Sequence, residues 1–350
     1  MGDLLSRLEI VKLAREVQVP EADLEFLVAS DPTEIRQLRA QVSDALFARH
    51  EDRVTRLASL SRLLPVPMTA KIAELALGPM LSARVAAALD PREAARLAGH
   101  LDAGFLTTLA VSLDPKRVAA IVRGIDDKLV VDVGRRLLAK GEYLVLSRFV
   151  SVVDTDVALA VVASATPDAL LQVALFTDEP AALDSIVARL SDETLADIIR
   201  AAADADAYDA AVTLLLALST ESCSRLVAQV HAVAPQARDA LVAAVAEHDV
   251  WPAILPALHT VEQQTLGGLV NVAPTMDVAL IDRVVQHARE LDVAPVLVQM
   301  VLALDDEHLD VLKGSRELGD PAVQSWLLRN AGVAGRLVEA VLDNLQLRSA

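Results

Sequence analysis

A repeat of 43 residues constrains the fold of this 350-residue chain more than any other feature of its sequence. When the stretch from 191 to 319 is shifted by 43 residues, the apolar positions of three successive copies coincide without a gap. Leu215, for example, falls on Leu258 and Val301. A period near 40 residues is typical of stacked helical repeats, in which each copy buries its apolar face against its neighbours. We therefore predict an all-α fold, a right-handed α-solenoid of two- and three-helix repeats of about 43 residues with helical caps at both ends.

Each copy predicts three short helices. In the first copy, apolar residues at 195, 198, 199 and 202 follow helical spacing, and the same spacing recurs at 208–215 and 223–230. The middle helix is the most apolar, so we expect it to form the inner layer. Leu215, Leu258 and Val301 are then equivalent core positions, and Leu258 is expected to lie in looser surroundings because Pro256 should kink or shorten its helix.

The rest of the chain predicts helical segments on both sides of these copies. We assign residues 1–65 to an N-terminal helical cap, 66–319 to the repeats and 320–350 to C-terminal capping helices. A long helical stretch runs from Asp31 to about Leu64, and the charged segment His50–Arg53 is where it would break in two. No linker rich in Gly, Ser or Pro separates these parts, so one continuous domain is expected.

Two family resemblances follow from these patterns. A three-helix unit of about 43 residues resembles HEAT and armadillo repeats in period and pattern. Over residues 68–126, Leu89-Asp90-Pro91, Leu101-Asp102, Leu113-Asp114-Pro115 and Ile125-Asp126 mark helix ends 12 residues apart. That run of short helices with Asp-Pro starts is similar to the helical N domain of MgtE-type magnesium transporters. The nucleotide-type regulatory domains and the membrane domain of that family have no counterpart in the sequence, so transport is not implied.

A ladder of carboxylates precedes the middle helices. Asp206, Asp249 and Asp292 are 43 residues apart, and so are Asp204, Glu247 and Glu290. One interpretation is a site for a cation such as Mg²⁺, which prefers oxygen ligands. The favoured interpretation is that each Asp caps the N-terminus of its middle helix by accepting an unpaired backbone N–H.

The composition of the chain limits the kinds of function that it can have. The formal net charge of −17 argues against nucleic-acid binding, because such a surface repels phosphate. Cys223 is the single cysteine and is expected to be a buried thiol, which fits a cytoplasmic protein. The sequence has no run of 18 apolar residues, so no transmembrane segment is predicted. It also contains no phosphate loop, paired-cysteine motif or catalytic signature, so we expect no metal, no cofactor and no enzymatic activity.

The middle copy departs from the repeat pattern and supplies the candidate contact site. Pro256 falls inside a helix, and two adjacent glycines follow, which would allow another backbone segment to approach closely. Local rules that are broken together are more frequent at functional sites, although a tolerated kink and helix packing are the simpler explanation. The residues assigned to this site are Trp251, Pro256, His259, Gly267, Gly268 and Asn271.

Two functions remain after these steps. The first is a non-enzymatic scaffold or adaptor that binds a protein or peptide partner on its curved surface. The alternative is a carrier of an apolar small molecule, or a protein that binds a lipid surface. This alternative rests on the mean hydropathy of +0.40, which is high for a soluble chain.

Overall fold

The computed structural model describes residues 2–17, 19–48, 56–59 and 63–330, together with 336 and 339. These residues are helical or form turns, and none of them lies in a β-strand. The predicted all-α class is therefore confirmed. The predicted break at His50–Arg53 and most of the region beyond Asn330 lie outside the described residues.

The chain divides into two compact units, Gly2–Ile186 and Val187–Ala350, which we call the N-terminal and C-terminal units. The N-terminal unit also contains a 3₁₀-helix at Glu21–Leu27, a short helical segment at 56–59 and a π-helical turn at Ala73–Leu77. Its α-helices, the last of which ends at the boundary, are Gly2–Val17, Pro32–Ala48, Val66–Ile72, Gly78–Ala88, Pro91–Ala98, Ala103–Val111, Pro115–Val122, Asp127–Ala139, Tyr143–Phe149, Thr155–Val162, Pro167–Phe176 and Pro180–Val187.

Short helices of the N-terminal unit begin at regularly spaced aspartates. Asp90, Asp102, Asp114 and Asp126 each accept hydrogen bonds from backbone N–H groups in the first turn of the following helix. These N–H groups have no partner within the helix, and a carboxylate oxygen supplies one. The 12-residue spacing seen in the sequence thus marks helix starts. Helices next but one along the chain pack on each other, as Pro91–Ala98 does on Pro115–Val122.

The helices of the C-terminal unit recur at a constant offset. The first helices of the three copies begin at Asp192, Pro235 and Val278, which are 43 residues apart. The α-helices of this unit are Asp192–Asp204, Tyr208–Leu216, Thr220–Ala228, Pro235–Glu247, Trp251–Ile254, Gln263–Val270, Val278–Glu290, Ala294–Leu302, Asp306–Val311, Arg316–Gly319 and Pro321–Asn330. Turns of 3₁₀-helix occupy Gln229–Ala232, Leu255–Thr260, Ala273–Met276 and Leu312–Gly314.

Pro256 changes the middle helix of the second copy, as its position predicts. The corresponding helices Tyr208–Leu216 and Ala294–Leu302 are regular over nine residues. In the second copy only Trp251–Ile254 is α-helical, and the chain continues as the 3₁₀-helix Leu255–Thr260. Proline cannot donate the backbone hydrogen bond that a continuing α-helix requires.

The core of the C-terminal unit reverses the expected order of two leucines. Leu258 is only 3% exposed and belongs to the central apolar cluster, whereas Leu215 is partly buried at its edge. The expectation that Pro256 loosens the surroundings of Leu258 is therefore wrong. The tighter 3₁₀ turn instead directs Leu255 and Leu258 into the core, where they are 0% and 3% exposed. Cys223 is buried as predicted, and burial raises the pKa of its thiol to about 11.

The aspartates of the predicted ladder do not cap the middle helices. Asp206, Asp249 and Asp292 have φ angles of 50°, 49° and 55°, which places them in the left-handed region. Each lies just past the end of the preceding 13-residue helix. The next residue donates its N–H back to that helix, as Ala207 does to the Ala202 carbonyl at 2.8 Å. This is the Schellman arrangement that closes a helix C-terminus. The middle helices begin at 208, 251 and 294 without any side-chain cap, so the N-cap interpretation is wrong.

This geometry predicts a distinctive response to substitution at position 206. Glycine adopts positive φ without steric cost, and Gly141 has φ 71° after the equivalent helix Asp127–Ala139. We expect Asp206→Gly to leave stability unchanged or raise it, and Asp206→Ala to lower it by about 1 kcal/mol. Urea unfolding followed by tryptophan fluorescence measures both, because Trp251 and Trp326, the only tryptophans, lie in the C-terminal unit. A loss with glycine as large as the loss with alanine would contradict this assignment.

Candidate functional site

The six residues predicted as a contact site lie in different surroundings. Trp251 is buried at 6% exposure, and its indole Nε1 has no hydrogen-bond partner. His259 is exposed near the end of the 3₁₀-helix that contains Pro256. Asn271 is fully engaged: its amide donates to the Ala303 carbonyl at 2.8 Å, and its oxygen accepts the Asp305 backbone N–H at 3.0 Å. Asn271 thus connects the second copy to the third, and its side chain has a structural role within the chain.

A small apolar cavity lies beside Trp251. Its volume is about 60 Å³, and aliphatic side chains such as Val284, Leu297 and Met300 line most of it. Binding sites for small molecules usually have about 300–1,000 Å³. The cavity is therefore too small for an apolar ligand of ordinary size, and it gives no support to the carrier alternative.

His308, which also lines this cavity, is held by neighbouring oxygens. Its Nδ1 lies 2.7 Å from an oxygen of Asp305, and its Nε2 lies 3.3 Å from the Val272 carbonyl. Hydrogen bonds from the His308 backbone N–H and imidazole lower the pKa of Asp305. These contacts position the third helix of the third copy, and they explain the acidic turn at its start without a ligand.

The two glycines of the predicted site allow different close approaches. A Cβ at Gly267 would lie 3.4 Å from the Ala303 carbonyl, which is tight but tolerable. A Cβ at Gly268 would lie only 2.6 Å from Nη1 of Arg238. Gly268 therefore leaves space for the Arg238 guanidinium against the helix Gln263–Val270.

The guanidinium of Arg238 borders a cleft of about 280 Å³. Its Nε is buried without a hydrogen-bond partner, and Arg238 forms no ion pair within the described part of the chain. The cleft, which we call the Arg238 cleft, is lined by Val230, His231, Arg238, Glu262, Gln264, Thr265 and Leu269. The sequence predicted Gly268, which lies against the Arg238 guanidinium, as a site residue. It did not predict Arg238, which lies 30 residues earlier on another helix.

Large apolar side chains are exposed along 63–80 in the N-terminal unit. Leu75 is 84% exposed and Leu63 is 79% exposed. The opposite side of the helix Val66–Ile72 carries buried Ala70 and packs on Pro91–Ala98. We call the exposed set the apolar stripe, and it consists of Leu63, Leu64, Met68, Ile72, Leu75 and Met80.

The backbone under the apolar stripe is irregular. Ala73–Leu77 forms a π-helical turn, and Gly78 ends it with a φ of 71°. A π-helical turn is rare and occurs frequently at functional sites. The turn places Leu75 on the outer surface, while Ala73 is buried. Lys71 is the only exposed charged residue within 66–77, where Glu74 is partly buried.

Nitrogen-bearing rings connect successive copies of the C-terminal unit. His248 Nε2 lies 2.9 Å from Asp209, His287 Nε2 lies 3.1 Å from Asp249, and Trp326 Nε1 donates to Asp292 at 2.8 Å. His248 thus has a carboxylate partner in the preceding copy. Across the described residues, no group of three or more His, Cys, Asp or Glu side chains is placed to hold a metal ion.

Compared with protein-family models, curated proteins and solved structures, the chain matches none. The resemblances to HEAT and armadillo repeats and to the MgtE N domain stay predictions. No helix in the described part of the chain is by itself long and apolar enough to cross a membrane. The adjacent segments Pro235–Glu247 and Trp251–Thr260 reach that length and composition only together, and they are bent by 113°.

The N-terminal unit buries a cluster of charges between three segments. Lys12 is 3% exposed, and its ammonium lies 2.6 Å from Asp178 and 3.4 Å from Glu9. Arg39 contacts the same two carboxylates at 2.7 Å and 3.3 Å. Arg36 donates to Glu9 from the protein surface. Because each of these charges has an oppositely charged partner, the cluster is best explained as the tie that holds the first two helices against the segment near 178.

Proposed function

We propose that this protein is a non-enzymatic scaffold of stacked helical repeats that binds a partner protein through the apolar stripe. The observation that carries the proposal is the exposure of six large apolar side chains on 63–80. Contiguous exposed apolar surface of this kind is uncommon on soluble monomers and typically marks an interaction site. We expect the partner to present the apolar face of an amphipathic helix, because such a helix docks on an apolar surface through side chains at helical spacing.

The stacked-repeat part of the proposal rests on recurring contacts. Helix starts and left-handed helix ends recur 43 residues apart, and ring-to-carboxylate bonds join successive copies, which supports a stack in which each copy contacts its neighbour. In such architectures each repeat contacts mainly its neighbours, and the surfaces that remain serve to bind partners.

The charge distribution favours a protein over a lipid surface. Helices that lie on membranes carry several Lys or Arg residues on their polar face, whereas Lys71 is the only basic residue in 66–77. The net charge of −17 also repels anionic lipid headgroups. The lipid-surface alternative therefore has less support than the scaffold.

A pair of matched variants tests the proposed function. Leu75→Glu places a charge at the most exposed position of the apolar stripe, and Leu291→Glu does the same at a leucine that is 40% exposed elsewhere. We expect Leu75→Glu to weaken partner binding by about 10-fold or more and Leu291→Glu to have little effect, because central apolar contacts carry most of the energy of an interface. Both variants should retain the circular dichroism spectrum of the parent.

The partner is first identified by photo-crosslinking. A photoreactive residue at 72 or 75 should join one protein in near-stoichiometric yield, and one at 291 should not. Equal crosslinking from all three positions, or binding that Leu75→Glu leaves intact, would contradict the proposal. Flotation of the protein with uncharged phosphatidylcholine vesicles, abolished by Leu75→Glu, would contradict it in favour of the lipid-surface alternative.

A further inference from the structure

We propose that the Arg238 cleft binds a small zwitterionic carboxylate, an α-amino acid, with its carboxylate on Arg238 and its ammonium on Glu262. The proposal concerns the C-terminal unit and does not depend on the function of the apolar stripe. It begins from an unpaired charge: the Arg238 side chain has no hydrogen bond or ion pair in the described part of the chain, and its Nε is inaccessible to solvent. The guanidinium borders the cleft without an anionic partner among the described residues, so an anion that enters the cleft gains charge-assisted hydrogen bonds from it.

Gly268 sets the position of the cation. A Cβ there would lie 2.6 Å from Nη1, so any other residue would displace the guanidinium from the helix Gln263–Val270. Glycine inside an eight-residue helix lowers helix stability by about 1 kcal/mol relative to alanine. Here the glycine leaves room for the guanidinium of Arg238, which has no ionic partner among the described residues. The glycine that departs from the repeat pattern is thus explained by the cleft.

The remaining lining decides what kind of anion fits. Glu262 contributes a second, negative charge, and its carboxylate makes no hydrogen bond or ion pair in the described part of the chain. Its carboxylate disfavours a phosphate dianion more than a carboxylate monoanion, because like-charge repulsion grows with the charge of the ligand. A ligand that carries an ammonium beside its carboxylate satisfies both charges of the cleft at once.

The size and the neutral groups of the cleft agree with this ligand class. His231 Nδ1 lies 2.8 Å from the Ala228 carbonyl. Because a carbonyl can only accept, Nδ1 donates in this contact, which leaves Nε2 as the ring nitrogen that can face a ligand. Thr265 and Gln264 add hydrogen-bonding groups, while Val230 and Leu269 offer apolar surface to a side chain. A volume of about 280 Å³ lies just below the usual range for ligand sites and suits a single amino acid.

Calorimetric titration of the full chain with valine, acetate, methylamine and inorganic phosphate at constant ionic strength tests the proposal. Valine should bind more tightly than acetate or phosphate, and methylamine should not bind measurably. Arg238→Gln should weaken valine binding by about 10- to 100-fold, which is the range for losing a hydrogen bond to a charged group. Glu262→Gln should weaken valine binding but not acetate binding.

Two glycine variants separate ligand binding from folding. Gly268→Ala moves only the flexible end of Arg238, so it should preserve stability and weaken valine binding by about 10-fold or more. Gly267→Ala is the matched control, and it should leave valine binding within about 2-fold of the parent, because its new methyl faces the Ala303 carbonyl instead. Valine binding that Arg238→Gln leaves unchanged, the absence of valine binding to the parent protein, or tighter binding of phosphate than of valine would each overturn the proposal.

Discussion

Replacing Asp178 by alanine is expected to lower the free energy of unfolding of the N-terminal unit by about 3 kcal/mol. The substitution leaves Lys12 and Arg39 with Glu9 as their shared partner, and Lys12 is only 3% exposed. An uncompensated buried charge is much more costly than the net gain from the intact pair. Urea unfolding followed by far-ultraviolet circular dichroism at pH 7 measures the loss, because tryptophan fluorescence reports only on the C-terminal unit.

A surface ion pair in the same unit supplies the control. Asp132 pairs with Arg136 across one helical turn at 3.1 Å, and both side chains are about half exposed. Asp132→Ala should therefore cost no more than about 0.5 kcal/mol. Similar losses for Asp132→Ala and Asp178→Ala would show that the charge cluster is not energetically buried.

The effect of Asp178 also depends on pH in a defined direction. Burial by itself raises the pKa of this carboxyl. The charges of Lys12 and Arg39 and their hydrogen bonds lower the pKa by more than that, so the net pKa lies below the ordinary 3.8. A group whose pKa is lowered by folding stabilises the protein above its unfolded pKa, and the contribution is lost as the pH falls through the folded pKa. The difference in stability between the parent and Asp178→Ala should thus be complete at pH 7 and should narrow below about pH 4.

Replacing Leu258 by alanine is expected to cost about 2–5 kcal/mol, and the same substitution at Leu215 should cost distinctly less. The two residues occupy equivalent positions 43 residues apart, so the comparison holds sequence context nearly constant. Leu258 is 3% exposed within the core, whereas Leu215 packs at its edge and remains partly exposed. Truncating the fully packed side chain leaves a cavity, while solvent and neighbouring side chains fill much of the space at the edge.

Unfolding in urea, followed by tryptophan fluorescence, compares the two leucine variants directly. The slope of the transition should stay the same, so that a shifted midpoint reports stability. A larger loss at Leu215 than at Leu258 would restore the idea that Pro256 loosens its surroundings. Equal losses would mean that the difference in burial carries no energetic weight.

Helix positions were predictable because they depend on local spacing. Helical periodicity located the three helices of each copy, and the aspartates 12 residues apart correctly marked helix starts in the N-terminal unit. Pro256 was correctly expected to shorten its helix, because a missing backbone donor acts on the same turn. These conclusions need no knowledge of what packs on what.

The role of the aspartate ladder was not predictable by the same means. Asp206 lies between two helices and is a plausible residue for either the start of one or the end of the other. Only the backbone angle decides, and a φ of 50° assigns it to the end of the preceding helix. Gly141 at the equivalent point of another long helix is the sequence signal that would have favoured this answer, since glycine is the usual residue there.

The two candidate sites differ in how much the sequence revealed. The unusual glycine pair drew attention to the second copy, but Arg238 belongs to a different helix and carries no local signal. The apolar stripe was missed for another reason. Leu64, Met68, Ile72 and Leu75 have helical spacing that normally indicates a buried face, yet here the alanines at 70 and 73 face inward. Small side chains permit close helix packing, so the large ones remain outside.

The sequence by itself determined the all-α class that the described residues show, where most of their helices begin, and that no recognised reaction motif is present. Those features follow from side-chain spacing and backbone chemistry within one or two turns. Tertiary structure alone decided which side of each helix is covered, which of two equivalent leucines is buried, and which charge is left without a partner. These outcomes depend on contacts between residues tens of positions apart, as between Lys12 and Asp178, and no local pattern encodes them.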